Sequence, residues 1–316
     1  MIWPLFETVK LSPILAVDIS PWAGRQAQLH ILRDDLNHPI VSGNKLRKLK
    51  YPLLHALRQG YCGITSFGGA HSNHAHALAY ACQQLKLECR LIIRGQEASA
   101  AQSATLKDCV DWGAEVIPVS RQDYRERHQS DAQQRWTKTN HLLVAEGGST
   151  TMALTGVAEA LDARTEPYSF IATAVGSGGT AAGLSLGLTK KQRLLLVPAV
   201  RDQQLPSRIA ELLDTAPDQR QQAAPMCWLT GYEWGGFGRL PTELQQFVAA
   251  FYRHTQVLLD PVYTAKLCFA LVSEIRAGRL PPDGSVLMYH SGGLQGWRGM
   301  TDKLIPEMQD CLATPR

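Results

Sequence analysis

Short apolar runs alternate along the chain with longer stretches in which apolar side chains recur every three or four positions. From about residue 28 onward Gly, Pro or Ser separates one from the next. The first pattern fits strands buried on both faces, the second fits helices with one apolar face. Strands are predicted at Leu29 to Leu32, Gly63 to Phe67, Cys89 to Ile93, Glu115 to Val119, His141 to Ala145, Phe170 to Val175, Leu194 to Pro198 and Val286 to Tyr289. Helices are predicted from Lys45 to Gln59, where Gly60 stops the pattern, and from Asn73 to Leu85. Others are predicted near Thr151 to Ala163, Ala181 to Leu188, Thr242 to His254 and Ala265 to Ala277. Such alternation implies βα units around a parallel sheet, hence an α/β fold. No repeat, low-complexity tract or long Gly/Ser linker interrupts it. Any domain boundary must therefore be short, and the turn from Glu146 to Thr150, which ends one βα series and leads into another, is the best crossing.

Composition narrows the classes. A chain of 316 residues is long enough for one large α/β unit or for two domains closing on a cleft. With 45% hydrophobic and 19% charged residues it reads as an ordinary globular protein. The formal charge of +4 is small for this length, and basic residues are scattered apart from the cluster at Lys45 to Lys50. That argues against a nucleic-acid partner and for a small anionic ligand. The seven cysteines are odd in number, widely spaced and never in a CxxC pair, which argues against a disulfide framework or zinc site. The first twenty residues have no basic leader and carry Glu7 and Lys10 within an apolar stretch, and nothing later reads as a membrane span. A soluble, cytoplasmic protein is expected.

Three loops carry candidate chemistry. Gly176-Ser-Gly-Gly-Thr180 follows an apolar strand and opens a helix. Glycines let the backbone approach an anion, the helix N-terminus presents N–H groups, and Ser177 and Thr180 add hydroxyls, which suits phosphate. A glycine turn that only packs helix against strand has the same pattern. Gly176-x-Gly178-x-x-Ala181 also fits a loose dinucleotide fingerprint, with Asp202 near the distance of the acidic partner, so a nicotinamide-dependent oxidoreductase stays open. In the second loop Lys45 follows Gly43-Asn44 at a helix start, with Arg47 and Lys48 beside it. The helix dipole and these neighbours disfavour an ammonium there, which suits bonding to an aldehyde, although a solvated basic helix face reads the same way. The third loop, Gly68-Gly-Ala-His-Ser-Asn-His-Ala-His76, has Ser72 as an N-cap whose following N–H groups suit a carboxylate. His71, His74 and His76 do not share a face and have no acidic or cysteine ligand beside them, so no metal is expected.

Taken together, GNKLRKL at Lys45, SFGGAHSNHAHALA at Ser72, GSGGTAAG at Gly176, DPVYTAK at Asp260 and YHSGG at Tyr289 resemble the aminocyclopropane-carboxylate deaminase and D-cysteine desulfhydrase family. The resemblance runs nearly the whole chain. It implies the tryptophan synthase β-like fold, two open-sheet α/β domains with pyridoxal 5'-phosphate in the cleft between them. The larger domain would comprise residues 1–46 and 151–316, the smaller 47–150, and the assembly would be a homodimer. By the same resemblance Lys45 would bond the cofactor aldehyde, and Gly176, Ser177, Gly178, Gly179 and Thr180 would cradle its phosphate. Asn73 would meet the ring hydroxyl, and Ser291 or Thr264 the pyridine nitrogen. Ser72 and Tyr263 would face the substrate. Thr264 stands where ring-opening deaminases carry glutamate, and Phe237 where the family has a second tyrosine; both favour elimination from D-cysteine, a lyase reaction, over opening of aminocyclopropane carboxylate. His71 and His76 replace a glutamine and often an arginine, which would shift substrate preference.

Overall fold

The computed structural model of the chain describes Leu5 and residues 11–221, 223–300 and 303–313. The positions of Glu7 and Lys10 lie outside the described residues. Among the described residues ten strands form two sheets. The larger runs in the order β1 (Ile14–Asp18), β2 (Gln28–Leu32), β10 (Asp283–Tyr289), β7 (Phe170–Val175), β8 (Arg193–Pro198), β9 (Met226–Trp228). The smaller runs β5 (Glu115–Val119), β4 (Glu88–Arg94), β3 (Gly63–Gly69), β6 (His141–Val144). Every pair is parallel except β1 with β2.

The period of two along the strands separates the cores. In the large sheet Leu29, Ile31, Ala172, Ala174, Leu195, Val197, Val286 and Met288 pack on one face under the Thr242–Thr255 and Thr264–Arg276 helices. The alternate residues Leu32, Ile171, Val175, Leu194, Leu196, Leu287 and Tyr289 pack on the other, under the Thr151–Ala158, Gly179–Gly187 and Leu205–Asp214 helices. Both faces are covered, as a parallel sheet requires. The small sheet has its own core, to which the Asn44–Gln59 helix contributes Leu46, Leu49, Leu53 and Ala56, spaced to fall on one face.

That helix joins the two layers. Its opposite side lies on the Thr151–Ala158 helix so closely that a Cβ on Gly156 would stand 2.1 Å from the Arg47 carbonyl. Arg47 forms a forked ion pair with the fully buried Asp34, through Nε at 2.7 Å and Nη2 at 2.6 Å. Asp34 also accepts from Ser12 Oγ at 2.5 Å and from the Tyr289 hydroxyl. One buried carboxylate thus ties the start of the chain, the helix and the end of β10. Removing any charge partner would leave the other buried and unpaired, a loss of about 3–5 kcal/mol.

The long buried elements fall where the hydrophobic pattern puts them; the differences lie at edges and ends. β1 and β9 are edge strands the pattern does not show, because β1 buries one residue in five and β9 none fully. β1 also makes the large sheet mixed rather than wholly parallel. The helix predicted to reach Ala163 stops at Ala158, and Ala163 belongs to a separate 3-10 turn capped by Asp162. The helix predicted from Ala181 starts two residues earlier, at Gly179. The Asp202 carboxylate accepts from the Gln204 N–H at 2.9 Å and pairs with Arg208 at 2.7 Å.

Gly43 precedes the Asn44–Gln59 helix at φ 68°, and a Cβ there would lie 2.0 Å from the Ser291 carbonyl oxygen. Gly60, which ends the same helix at φ 74°, faces open space. Gly60→Ala is expected to cost about 1 kcal/mol, the left-handed penalty alone. Gly43→Ala is expected to cost at least about 3 kcal/mol, since backbone must also move. Urea unfolding of the two variants checks this, and equal losses would contradict the packing described.

Candidate active site

The start of the Asn44–Gln59 helix is fixed from two sides. The Asn44 N–H donates to the Ser291 carbonyl at 3.1 Å, and the Asn44 side-chain amide donates to Thr180 Oγ1 at 2.8 Å. The end of β10, the glycine loop after β7 and the lysine-bearing helix therefore meet at one point. Lys45 is partly buried, and its Nζ donates to Asn44 Oδ1 at 2.9 Å. Burial lowers its pKa to about 8, against the opposing pull of Asp260. A neutral amine is therefore accessible near neutral pH, the condition for attack on an aldehyde.

Lys48 lies one turn on, only 2% exposed. Its Nζ donates to the Gly147 carbonyl at 3.0 Å and to Ser149 Oγ at 3.4 Å, and among the described residues no carboxylate pairs with it. Burial drives its pKa well below the ordinary value, and the Lys45 charge adds to this. A Cβ on Gly179 would stand 3.1 Å from this ammonium and 2.6 Å from Ser149 Oγ. The bare Gly179 thus lets the buried Lys48 amine come close to the N-terminus of the Gly179–Gly187 helix, whose first-turn N–H groups have no intrahelical acceptor. Ser177 Oγ, 2.8 Å from Ser149 Oγ, stands at the rim.

His74 closes the floor. Ser66 Oγ donates to the Val144 carbonyl at 2.7 Å, so the 2.8 Å contact between Ser66 Oγ and His74 Nε2 has the imidazole as donor. Nδ1 is left as a buried acceptor without a partner among the described residues. Burial first, then the charges of Lys45 and Lys48, lowers the His74 pKa to about 3, so the ring is neutral.

The other predicted positions are brought to the same cleft with different degrees of freedom. Ser72 caps the Asn73–Leu85 helix by accepting from the Ala75 N–H at 3.2 Å, and its hydroxyl proton remains available. Asn73 Oδ1 accepts from Gln295, which also accepts from Thr105 Oγ1 at 2.9 Å. Tyr263 packs across the bare Gly176, where a Cβ would lie 2.8 Å from its ring. Burial raises its phenol pKa, with Asp260 and Glu146 adding to the shift, so it is a proton donor rather than a base. Phe237 meets Tyr263 edge to face at 6.3 Å.

The two hydroxyls that could meet the pyridine nitrogen differ in freedom. Thr264 is fully buried and its hydroxyl is spent: it accepts from the Asp260 N–H at 2.6 Å and donates to Asp260 Oδ1 at 2.8 Å. Ser291, whose hydroxyl makes no hydrogen bond among the described residues, keeps a free donor. His76 turns away from the cleft toward Asp108 at 3.0 Å and Trp112, while His71 is exposed beside Gly299. Among the described residues the group of ligating side chains close enough to share a cation is Cys62, Glu88 and His141. It sits where β3, β4 and β6 begin, away from this cleft, and Lys138 already neutralises Glu88 at 2.5 Å.

A sequence profile described as pyridoxal-phosphate dependent enzyme matches residues 13–292. The chain belongs to that family, within its aminocyclopropane-carboxylate deaminase and D-cysteine desulfhydrase branch. A Pyrococcus horikoshii protein, provisionally named a 1-aminocyclopropane-1-carboxylate deaminase, is 30% identical, with 88% of each chain covered. An Arabidopsis thaliana protein named as a bifunctional D-cysteine desulfhydrase/1-aminocyclopropane-1-carboxylate deaminase is 28% identical over 89% of this chain and 76% of its own. A crystal structure of an ACC deaminase homologue matches with a TM-score of 0.78 at 28% identity, covering 97% of this chain and all of the other. Serine racemase from Dictyostelium discoideum shares the fold, with a TM-score of 0.66 at 16% identity over 92% of this chain and 94% of its own.

The residues fit the cofactor. The helix N-terminus at Gly179 would take its phosphate against Lys48, the helix N–H groups and the hydroxyls of Ser177 and Thr180, and Lys45 stands one helical turn away. Sequence reasoning placed Lys48 only as a charge perturbing Lys45; its lysine-x-x-lysine spacing was the signal for a second role, because i and i+3 share a face. The nicotinamide alternative falls with the family match and with Asp202 already paired.

An unpaired buried ammonium destabilises the protein that holds it, while a charge-assisted bond to phosphate strengthens binding. Lys48→Met is therefore expected to raise the melting temperature of the cofactor-free protein and to weaken pyridoxal phosphate binding about 10- to 100-fold. Calorimetry and a cofactor titration on one preparation check both; loss of stability without loss of affinity would contradict the assignment.

Proposed function

We propose that the protein catalyses β-elimination from a small α-amino acid, D-cysteine first among them, giving pyruvate, sulfide and ammonia. The observation that carries this reading is Lys45, its pKa lowered by burial to about 8, together with a committed hydroxyl rather than a carboxylate at Thr264. Bound pyridoxal phosphate supplies the electron sink that makes the substrate's α-proton acidic. Lys45 Nζ takes that proton from the α-carbon. The N–H groups at the start of the Asn73–Leu85 helix, with the Ser72 hydroxyl, hold the α-carboxylate. Tyr263, kept protonated by burial, donates toward the departing group.

Specificity for elimination rests on what the cleft lacks. Thr264 stands where ring-opening deaminases carry a glutamate, and its hydroxyl is committed to Asp260, so Ser291 is the donor left for the pyridine nitrogen. A neutral hydroxyl does not hold a pyridinium as a carboxylate does, which weakens the sink but suffices for a good leaving group. Phe237 beside Tyr263 removes a second phenol that ring opening would use. The separate core beneath the β3–β6 sheet supports a smaller domain of residues 47–150, with the cleft between it and the rest.

The names of the relatives favour a second reading, opening of 1-aminocyclopropane-1-carboxylate, and one assay separates the two. With D-cysteine the wild-type protein is expected to yield equal amounts of pyruvate and sulfide, and with aminocyclopropane carboxylate no 2-oxobutanoate. Lys45→Ala is expected to lose pyruvate formation by at least about 10³-fold. Production of 2-oxobutanoate at a comparable rate would replace the desulfhydrase reading by the deaminase one.

A further inference from the structure

The C-terminal edge of the small sheet carries a group of arginines, two of which, Arg94 and Arg125, have no ion-pair partner among the described residues. Parallel α/β sheets bind ligands at this edge. β3 ends at Gly69, three residues before Ser72, and Gly69 is the register partner of Arg94 at the end of β4. Arg94 in turn pairs in register with Val119, after which come Arg121, Arg125 and Arg127. A cavity of about 280 Å³ includes Gly69, Ala70, His71, Arg94 and Arg121 in its lining. A second, of about 380 Å³, is lined by Arg94, Arg121, Tyr124, Arg125 and Arg127. The two share Arg94 and Arg121, so one basic lobe opens directly beside the loop that leads to Ser72.

The charges in this lobe do not cancel. Arg121 pairs with Glu97 at 2.6 Å and Arg127 with Glu146 at 2.7 Å. Arg94 and Arg125 form no ion pair or hydrogen bond among the described residues, and Arg94 lies over the Tyr124 ring at 5.9 Å. Four guanidinium groups against two carboxylates leave two positive charges uncompensated. Glu146 also accepts from Tyr124 at 2.7 Å, and the carbonyl of the next residue, Gly147, accepts from Lys48 Nζ at 3.0 Å, which puts the inner wall of the lobe beside the catalytic cleft. A Cβ on Gly69 would lie 3.9 Å from Arg94 Nη2, and the Ser72 N–H donates to the Gly69 carbonyl at 3.0 Å. The guanidinium therefore sits one tight turn from the carboxylate-holding end of the Asn73–Leu85 helix, within reach of a substituent on the β-carbon of a substrate held there. Arginine forks match the paired oxygens of phosphate and sulfonate, and no lysine lines either cavity.

We propose that the lobe formed by Arg94, Arg121 and Arg125 binds an oxyanion carried on the β-carbon of the substrate, so that the preferred substrates are α-amino acids whose leaving group is a phosphate or a sulfonate. This rests on the β-elimination reading and narrows it, since the thiol of cysteine leaves the lobe unfilled. The step balances. Lys45 Nζ takes the α-proton, the bond from the β-carbon to oxygen or sulfur breaks with its electron pair leaving as phosphate or sulfite, and water converts the released aminoacrylate to pyruvate and ammonia.

The test compares kcat/KM for O-phosphoserine and for β-chloroalanine, both enantiomers of each, by pyruvate release from the cofactor-loaded enzyme. In the wild type O-phosphoserine of one hand is expected to exceed β-chloroalanine of the same hand by about tenfold or more. That ratio is expected to fall at least about tenfold in Arg94→Gln and in Arg125→Gln, and to be partly restored in Arg94→Lys, which a merely structural role would not do. Turnover of β-chloroalanine with none of O-phosphoserine overturns this inference and keeps elimination. Inhibition by inorganic phosphate alone, lost in Arg94→Gln, would make the lobe a site for a free anion and likewise overturn it. Pyruvate from none of these nor from D-cysteine, with cofactor bound, would overturn the elimination reading itself.

Discussion

Two lysines one helical turn apart, buried without a carboxylate salt-bridged to either, are the constraint on which this structure turns. Both lose solvation, and the Lys45 charge adds to the effect at Lys48, so each is displaced downward from its ordinary pKa. An arrangement this costly calls for something that offsets it, and a bound anion would do so for Lys48 while covalent bonding to the cofactor would do so for Lys45. Lys266, the other buried lysine close to the cleft, shows the contrast. Its Nζ donates to the carbonyls of Ala199, Glu233 and Gly236 at 2.9, 2.9 and 2.6 Å, so its bonds are satisfied within the protein and it holds the loop that carries Phe237.

Holding that helix start in place takes both sheets. The Asp34–Arg47 pair with Ser12 and Tyr289 anchors it to the large sheet, while Leu46, Leu49, Leu53 and Ala56 belong to the core of the small one. A second set of bonds spans the cleft farther out, from Gln295 to Asn73 and Thr105, and from Arg298 to Asp108 at 2.5 Å. The cleft is thus lined from both sides and bridged by polar contacts between them.

Much of this was legible in the residues. Buried strands such as β3 and β7 announce themselves because both faces are apolar, and the strand-loop-helix pattern at Gly176 and Ser72 shows which loops face the C-terminal edge. Side-chain direction was not legible. Thr264 occupies the position expected for it, but its hydroxyl turns back to Asp260, and His76 points into the Asp108 and Trp112 contact rather than to a substrate. Edge strands β1 and β9 escaped because half-exposed strands lack the apolar continuity of central ones. The arginine lobe escaped for another reason: Arg94 and Arg121 are distant in sequence and come together only through the register of β4 with β5.

The most direct test of the account is to reduce the cofactor-loaded protein with borohydride, digest it, and map the pyridoxyl group by mass spectrometry. The account predicts the label on Lys45 alone, with Lys48 and Lys266 unmodified. A label on Lys48 or Lys266 would contradict it, because the buried pair would then have its two roles reversed or the satisfied lysine would be the reactive one.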